Sequence, residues 1–260
     1  MGELSISIRG LYKNYGETRA LDGIDLDISS GEIFGILGPN GSGKTTLLRI
    51  ICSILEPTIG YVSVNGLNVI EKPLIVKEIS GYVPETPVLY ESLTPMEFLT
   101  FIGSVRRIEA NMLSTRVQRF AEAFEIMDKM DNFIGSLSFG TKQKVAIISA
   151  LIHDPQIIIL DEAMNGLDPR SARILKNLLI NYALAGRTII FSTHVLEVAE
   201  SVCNRMAIIY RGKIVDVGTF KEMKEKSGSS DAKLEDIFLK MTGDTDLTSI
   251  VNSLGETMNH

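Results

Sequence analysis

Gly38-Pro-Asn-Gly-Ser-Gly-Lys44-Thr45 sets three glycines, a lysine and two hydroxyl residues within eight positions. Glycines at that spacing let backbone N–H groups point inward around a β-phosphate at a helix N-terminus; Lys44 would bridge β- and γ-phosphates, and the Thr45 hydroxyl would ligate Mg2+. A tight turn would account for the glycines but gives no reason for Lys44-Thr45. Asp161 and Glu162 close the aliphatic run Ile157-Ile-Ile-Leu160. A buried strand ending there would deliver Asp161 to a Mg2+ shell and leave Glu162, one residue on, facing an attacking water as general base. Two acids after four aliphatics also fit a plain strand-to-loop boundary. The phosphate loop upstream shifts the balance to the catalytic reading.

These residues need a strand, a loop and a helix to hold them, and the patterning supplies those. Residues 32–37 are an apolar strand running into the glycine-rich loop, and residues 45–55 have helical periodicity. Residues 157–160 and 188–192 read as short β-branched strands separated by a helix over 171–185, as a parallel sheet with crossovers requires. Before this α/β core, residues 4–9 and 23–28 alternate as short strands with a turn-rich stretch at 14–17, an antiparallel layer. Within it, residues 94–134 change character. Thr94, Pro95 and Glu97 form a helix start with cap, first-position proline and capping-box acid, followed by amphipathic sequence poor in glycine, so an inserted helical subdomain is expected. Residues 206–218 read as a hairpin, and the polar tail from 228 holds one short apolar run, 234–241, expected as a helix.

With 260 residues, 45% of them apolar, the chain can build a sizeable core. Lys and Arg number 26 against 32 Asp and Glu, a net charge of −6 without a basic cluster, so nucleic acid is not an expected partner. Cys52 and Cys203, far apart in apolar helical patterns, read as small buried hydrophobes of a reducing compartment. The opening MGELSISIRG lacks the order of a signal peptide, and no apolar run approaches the ~18 residues of a membrane span; a membrane role would need other chains to cross it.

Leu137-Ser138-Phe139-Gly140-Thr141, shortly before the Asp161-Glu162 strand and leading into KQKVAIISALIHDP, is similar to the signature LSGGQ, and with it the chain resembles the nucleotide-binding domain of ABC transporters from about residue 4 to 218. The resemblance implies an α/β P-loop NTPase core of RecA-like type with an antiparallel β layer and a helical subdomain inserted at about 86–153, the ATPase domain spanning 1–218 and a short helical tail 219–260. It also implies that Ser138 and Gly140 touch the γ-phosphate bound by the opposite subunit, that Tyr15 stacks on adenine with Tyr12 nearby as the other tyrosine, and that His194 hydrogen-bonds the γ-phosphate. Asn165-Gly166-Leu167-Asp168 matches the loop that crosses the dimer interface. Phe139 and Thr141 depart from the commonest signature. So does Glu85 in Tyr82-Val83-Pro84-Glu85, where most of the family has glutamine; the carboxylate keeps an oxygen for Mg2+.

The nucleotide site implied is therefore Gly38, Pro39, Asn40, Gly41, Ser42, Gly43, Lys44, Thr45 and Thr46 with Tyr15, completed by Ser138 and Gly140. Thr45, Glu85 and Asp161 serve the metal, and Glu162, His194 and Lys44 the chemistry. By resemblance the chain hydrolyses ATP as a cytoplasmic subunit on the inner face of the membrane, paired with a second copy or a homologous subunit and with permease subunits. The run PETPVLY followed by Leu93-Thr-Pro looks like the branch that includes Ecs-type and sodium or drug export systems. A soluble ABC protein acting on ribosomes or DNA is the alternative, but such relatives usually join two cassettes or insert a long coiled coil, and neither is present. A non-enzymatic nucleotide switch would have no need of Glu162.

Overall fold

A computed structural model describes residues 3–227; the apolar run expected as a helix at 234–241, most of the expected tail and His260 lie outside the described residues. The chain begins as β1 (Leu4–Tyr15) and β2 (Thr18–Ser29), paired antiparallel about the turn at Gly16 and Glu17. Both strands run further than alternation predicts. Register shifts between Ile8 and Leu11 and between Lys13 and Asn14 break the period of two without ending the pairing, and Gly10, at φ 50, supplies the irregular residue. With β4 (Ile59–Val64) and β5 (Leu67–Asn68) they form a four-stranded antiparallel sheet in the order β2-β1-β4-β5.

The second sheet has six strands, in the order β10-β9-β3-β8-β7-β6. Its members are β3 (Ile33–Leu37), β6 (Ser80–Val83), β7 (Ile157–Asp161), β8 (Thr188–Thr193), β9 (Arg205–Tyr210) and β10 (Lys213–Gly218). All neighbours pair parallel except β10 on β9. β3, β7 and β8 are buried along their whole length, which is why their sequences show apolar runs without an alternating polar face.

The crossovers are helical. α1 (Lys44–Ile51) follows β3, and α2 (Pro73–Ile79) leads into β6. Between β6 and β7 lie α3 (Pro95–Val105), α4 (Ala110–Ala123) and α5 (Phe139–Leu151), the first opened by the expected capping box of Thr94 and Glu97. Phe98, Leu99, Leu113, Val117 and Ala121 pack with Val145 and Ile148 of α5 into a core continuous with β7 and β8. Single 3-10 turns at Met127–Lys129 and Ile134–Ser136 lie between α4 and α5, and the remaining helices are α6 (Pro169–Leu184), α7 (Leu196–Val202) and α8 (Phe220–Ser227). α6 starts two residues earlier than expected because Asp168 caps it, accepting from Ser171 N at 2.8 Å. The two cysteines sit at helix ends, Cys52 after α1 and Cys203 after α7, and both are free thiols. Burial pushes both thiols up, Cys203 to about 12, so they serve as packing groups rather than nucleophiles.

Candidate active site

β3, at the centre of the parallel sheet, delivers the chain to Gly38, and the loop 38–43 carries it into α1. A methyl group at Gly38 would lie 2.3 Å from Ile209 O and 2.5 Å from Ser42 Oγ, so only glycine fits there. Gly43, at φ 111, caps α1 without any side-chain hydrogen bond, and the first turn holds no acid. The opening N–H groups and positive dipole end of α1 are thus left for an anion. The loop is held from outside by backbone. Gly212 N donates to Ser42 O at 2.9 Å, Asp22 N donates to Gly212 O at 2.8 Å, and a methyl at either Gly43 or Gly212 would run into Ala20 O, at 2.6 and 2.9 Å. Residues 40–46 with Ala20, Glu85 and Glu162 line a cavity of about 390 Å3.

Lys44 is 6% exposed at its side chain; its Nζ donates to Gly38 O at 2.7 Å and to Pro39 O at 3.2 Å and stands 3.7 Å from Glu162 Oε1. Glu162, equally buried, follows β7 with φ 50, a left-handed conformation that costs a non-glycine residue on the order of 1–2 kcal/mol. Neighbours hold it there. Its N–H is directed at both Ser192 O (3.2 Å) and Ser192 Oγ (3.1 Å), and its Oε2 accepts from His194 N at 3.3 Å and meets His194 Nδ1 at 3.0 Å. Oε1 is buried and has no hydrogen-bond partner. Asp161 beside it accepts from Ser192 Oγ at 2.6 Å and from the Tyr82 hydroxyl at 3.3 Å. Burial first, and the Asp161 charge second, push the Tyr82 phenol above its ordinary range, so it stays protonated and donates.

The LSFGT segment does not line this cavity. Ser138 is exposed and caps α5, its Oγ accepting from Thr141 N at 3.3 Å and sharing a 2.9 Å contact with Thr141 Oγ1. The first turn of α5 also holds no acid. Across from it runs the loop that connects Glu162 to α6, where the Asp168 carboxylate is drawn well below the usual range by Lys144, 2.7 Å away, and by the Ser171 N–H and hydroxyl.

Residues 21–165 match the family described as "ABC transporter". The chain is 36% identical over 215 residues to the ABC transporter ATP-binding protein NatA of Bacillus subtilis (strain 168), covering 82% of this chain and 87% of that protein. It belongs to the ABC transporter ATP-binding family. The ABC-type transporter ATP-binding protein EcsA of the same organism is 32% identical, over 91% of this chain and 96% of its own, in line with the branch suggested by PETPVLY. A dimeric ATP-binding cassette solved in a post-hydrolysis state bound to ADP and Pi superposes with a TM-score of 0.76 at 25% identity, over 82% of this chain and 98% of that one. The chain is thus the ATP-binding, ATP-hydrolysing subunit of an ABC transporter, on a P-loop NTPase fold.

In this ABC ATPase, residues 40–46, Glu85 and Glu162 meet at one cavity, Gly38 and Pro39 lie beneath as the carbonyls that Lys44 grips, and His194 reaches in through Glu162. Asp161 sits behind the rim, 1% exposed. Tyr15 is exposed at the end of β1 and is not among the lining residues, with Lys13 Nζ 5.2 Å from its ring centre; Tyr12 instead is packed against Gly23. Ser138 and Gly140 lie apart from the cavity of their own chain. Three contributors escaped sequence reasoning: Ser192, Tyr82 and Ala20. Ser192 had a signal, as a polar residue ending an aliphatic strand like that of Asp161.

His153, assigned no role from sequence, is structural. Its Nε2 meets Ser80 O at 3.1 Å, and burial first and the Arg106 charge second push its pKa down to about 4. No helix among the described residues is long and apolar enough to cross a membrane.

Proposed function

We propose that this ABC ATPase works as one half of a dimer, each nucleotide held by the phosphate loop of one copy and by Ser138 and Gly140 of the other, and that Glu162 is the general base. The observation that carries this is the Glu162 carboxylate. One oxygen is fixed by His194, and the other is buried, 3.7 Å from Lys44 Nζ and without a hydrogen-bond donor, at the wall of the phosphate-loop cavity. A buried acceptor with unused capacity is costly unless a donor arrives, and an attacking water is such a donor. The water would give its proton to Oε1 as its oxygen bonds to the γ-phosphorus and the bond to ADP breaks. His194, half-exposed, would reach the γ-phosphate while orienting Glu162, and Lys44 would balance charge on the β- and γ-phosphates.

The same donor set suits Mg2+. Thr45 Oγ1, Asp161 and Glu85 offer hard oxygen ligands, the kind taken by an ion that keeps waters and leans on substrate phosphates. When bound it would neutralise charge on the phosphate oxygens. Tyr15, exposed at the end of β1, is the proposed adenine platform.

Two features support the assembly. The capped, acid-free N-terminus of α5 would suit an anion from outside its own chain, and the matched cassette structure is a dimer. Transporter relatives favour transport over action on ribosomes or DNA. For the permease subunits we propose the surface after Glu85, where Val88 and Tyr90 are exposed and Tyr90 rests edge-on against Phe98 and Phe101 at 6.2 and 6.0 Å. Docking there would place the chain on the inner face of the membrane and would link the helical subdomain, about 86–153, to the core of a 1–218 ATPase domain.

Glu162→Gln tests the reading. It should slow hydrolysis on the order of 100-fold or more while leaving ATP bound, and should elute as a dimer with Mg-ATP and a monomer with ADP, the further change Ser138→Glu returning it to monomer. Hydrolysis at the wild-type rate in Glu162→Gln removes the base assignment.

A further inference from the structure

Phe139 stands where the family signature has glycine, and the structure gives its ring a specific neighbour. A methyl group built at Gly166 would lie 2.5 Å from Phe139 Cδ1 and 2.6 Å from Cε1, so the ring lies directly on the Gly166 α-carbon. Gly166 has φ 76, a conformation that itself favours glycine, and a methyl at Gly140 would stand 2.5 Å from Gly166 O. One turn further along α5, Gln143 Nε2 donates to Ala163 O at 3.0 Å, and Lys144 pairs with Asp168. Residues 139, 140, 143 and 144 form one face of the helix, because positions four apart stack on the same side. That face meets the loop from Ala163 to Asp168 along its length. The loop begins at Glu162, whose carbonyl accepts from Asn165 N at 3.0 Å.

We infer that Phe139 is a positioning residue for Glu162, acting through Gly166. The inference rests on the assignment of Glu162 as base. Glu162 is held in a left-handed conformation, and such conformations persist only when the surroundings over-determine them. From the strand side Ser192 fixes its N–H; from the loop side the tight turn closed by Asn165 N fixes its carbonyl. The Phe139 ring, by covering Gly166, denies that turn the space to unwind. With a smaller residue at 139 the loop gains freedom and the Oε1 atom drifts from its place, where a displacement of about 1 Å can cost up to 100-fold in rate. The part of the signature turned toward a partner subunit's nucleotide and the base serving this chain's own nucleotide then belong to one braced unit.

The test uses the full chain with Phe139→Ala, Phe139→Leu and Glu162→Gln, and the first and last combined. Phe139→Ala should lower kcat roughly tenfold or more with KM for ATP within about twofold of wild type; Phe139→Leu, which keeps apolar bulk over Gly166, should restore kcat to within about threefold. In the Glu162→Gln background, Phe139→Ala should still give the Mg-ATP dimer by size-exclusion chromatography with light scattering, since the ring is assigned to the chain's own base and not to the dimer contact. Wild-type kcat in Phe139→Ala overturns the inference. So does loss of the dimer in the double variant, which would make the ring an intersubunit contact, and so does a Phe139→Leu protein that remains as slow as Phe139→Ala. A failure of the base assignment itself shows separately, as undiminished hydrolysis in Glu162→Gln alone.

Discussion

Ser192→Ala removes one atom from the wholly buried junction between Asp161 and Glu162, and its cost can be worked from the bonds lost. The Oγ donates to Asp161 Oδ1 at 2.6 Å and receives Glu162 N at 3.1 Å. The second loss is small, because Glu162 N keeps Ser192 O at 3.2 Å. The first is not, because Asp161 is 1% exposed and its remaining side-chain donor, the Tyr82 hydroxyl, stands at 3.3 Å. A hydrogen bond to a buried charge contributes roughly 1.5–3 kcal/mol, so Ser192→Ala should destabilise the protein by about 2 kcal/mol. For a chain of this size that corresponds to a fall in Tm of about 4–8 °C. The measurement is urea unfolding without nucleotide, read at constant m, with calorimetry for Tm. Because the hydroxyl also fixes the backbone of Glu162, kcat at saturating ATP should fall on the order of tenfold. A variant that unfolds within about 0.5 kcal/mol of wild type would show that Ser192 does not carry the Asp161 charge, and the account of this junction would be wrong.

Gly38→Ala should fold but bind ATP at least about tenfold more weakly by calorimetric titration, because its methyl meets the Ile209 carbonyl oxygen at 2.3 Å and the loop must shift away from Lys44 to admit it. His153→Gln should change how stability depends on acid. The folded-state pKa of about 4 lies below the ordinary 6.5, so the unfolded chain takes the proton first; the native advantage is whole above pH 6.5 and is lost as pH falls toward 4. Relative to His153→Gln, the wild type should therefore lose on the order of 2 kcal/mol across that interval, allowing for the ring's partial exposure. Parallel stability curves of the two proteins between pH 7 and pH 4 would refute this.

The candidate catalytic residues stood out in the sequence because the chemistry proposed for them demands fixed types at fixed spacing along one segment. Lys44 follows its glycines directly, Glu162 follows Asp161, and the capping box at Thr94 sits within four residues. Ser192 was not legible as the partner of Asp161, since 31 residues separate them and only the pairing of β7 with β8 sets one opposite the other. Phe139 on Gly166 is the same kind of fact, visible only once α5 lies along the loop. The stretch from 59 to 83 yielded no elements from sequence, although it holds β4, β5, α2 and β6. Ile59 and Tyr61 are exposed strand residues, Gly60 interrupts the pattern, and α2 is too short for a helical period to declare itself. At the N-terminus, bulges hid the true length of β1 and β2, because alternation is an argument about uninterrupted pleat.

The turn between β9 and β10 holds the phosphate loop through Gly212 and Ser42, while Ala20 of β2 presses on Gly43 from the same side. A loop gripped in this way has already spent its conformational entropy before nucleotide arrives, so little affinity is lost in ordering it. The hairpin is consequently a remote handle on the site. Lengthening the turn at Arg211 and Gly212, two residues outside the cavity lining, would loosen the cradle and weaken ATP through disorder alone, a route by which variation at the sheet's antiparallel edge can retune an ATPase whose lining residues are all intact.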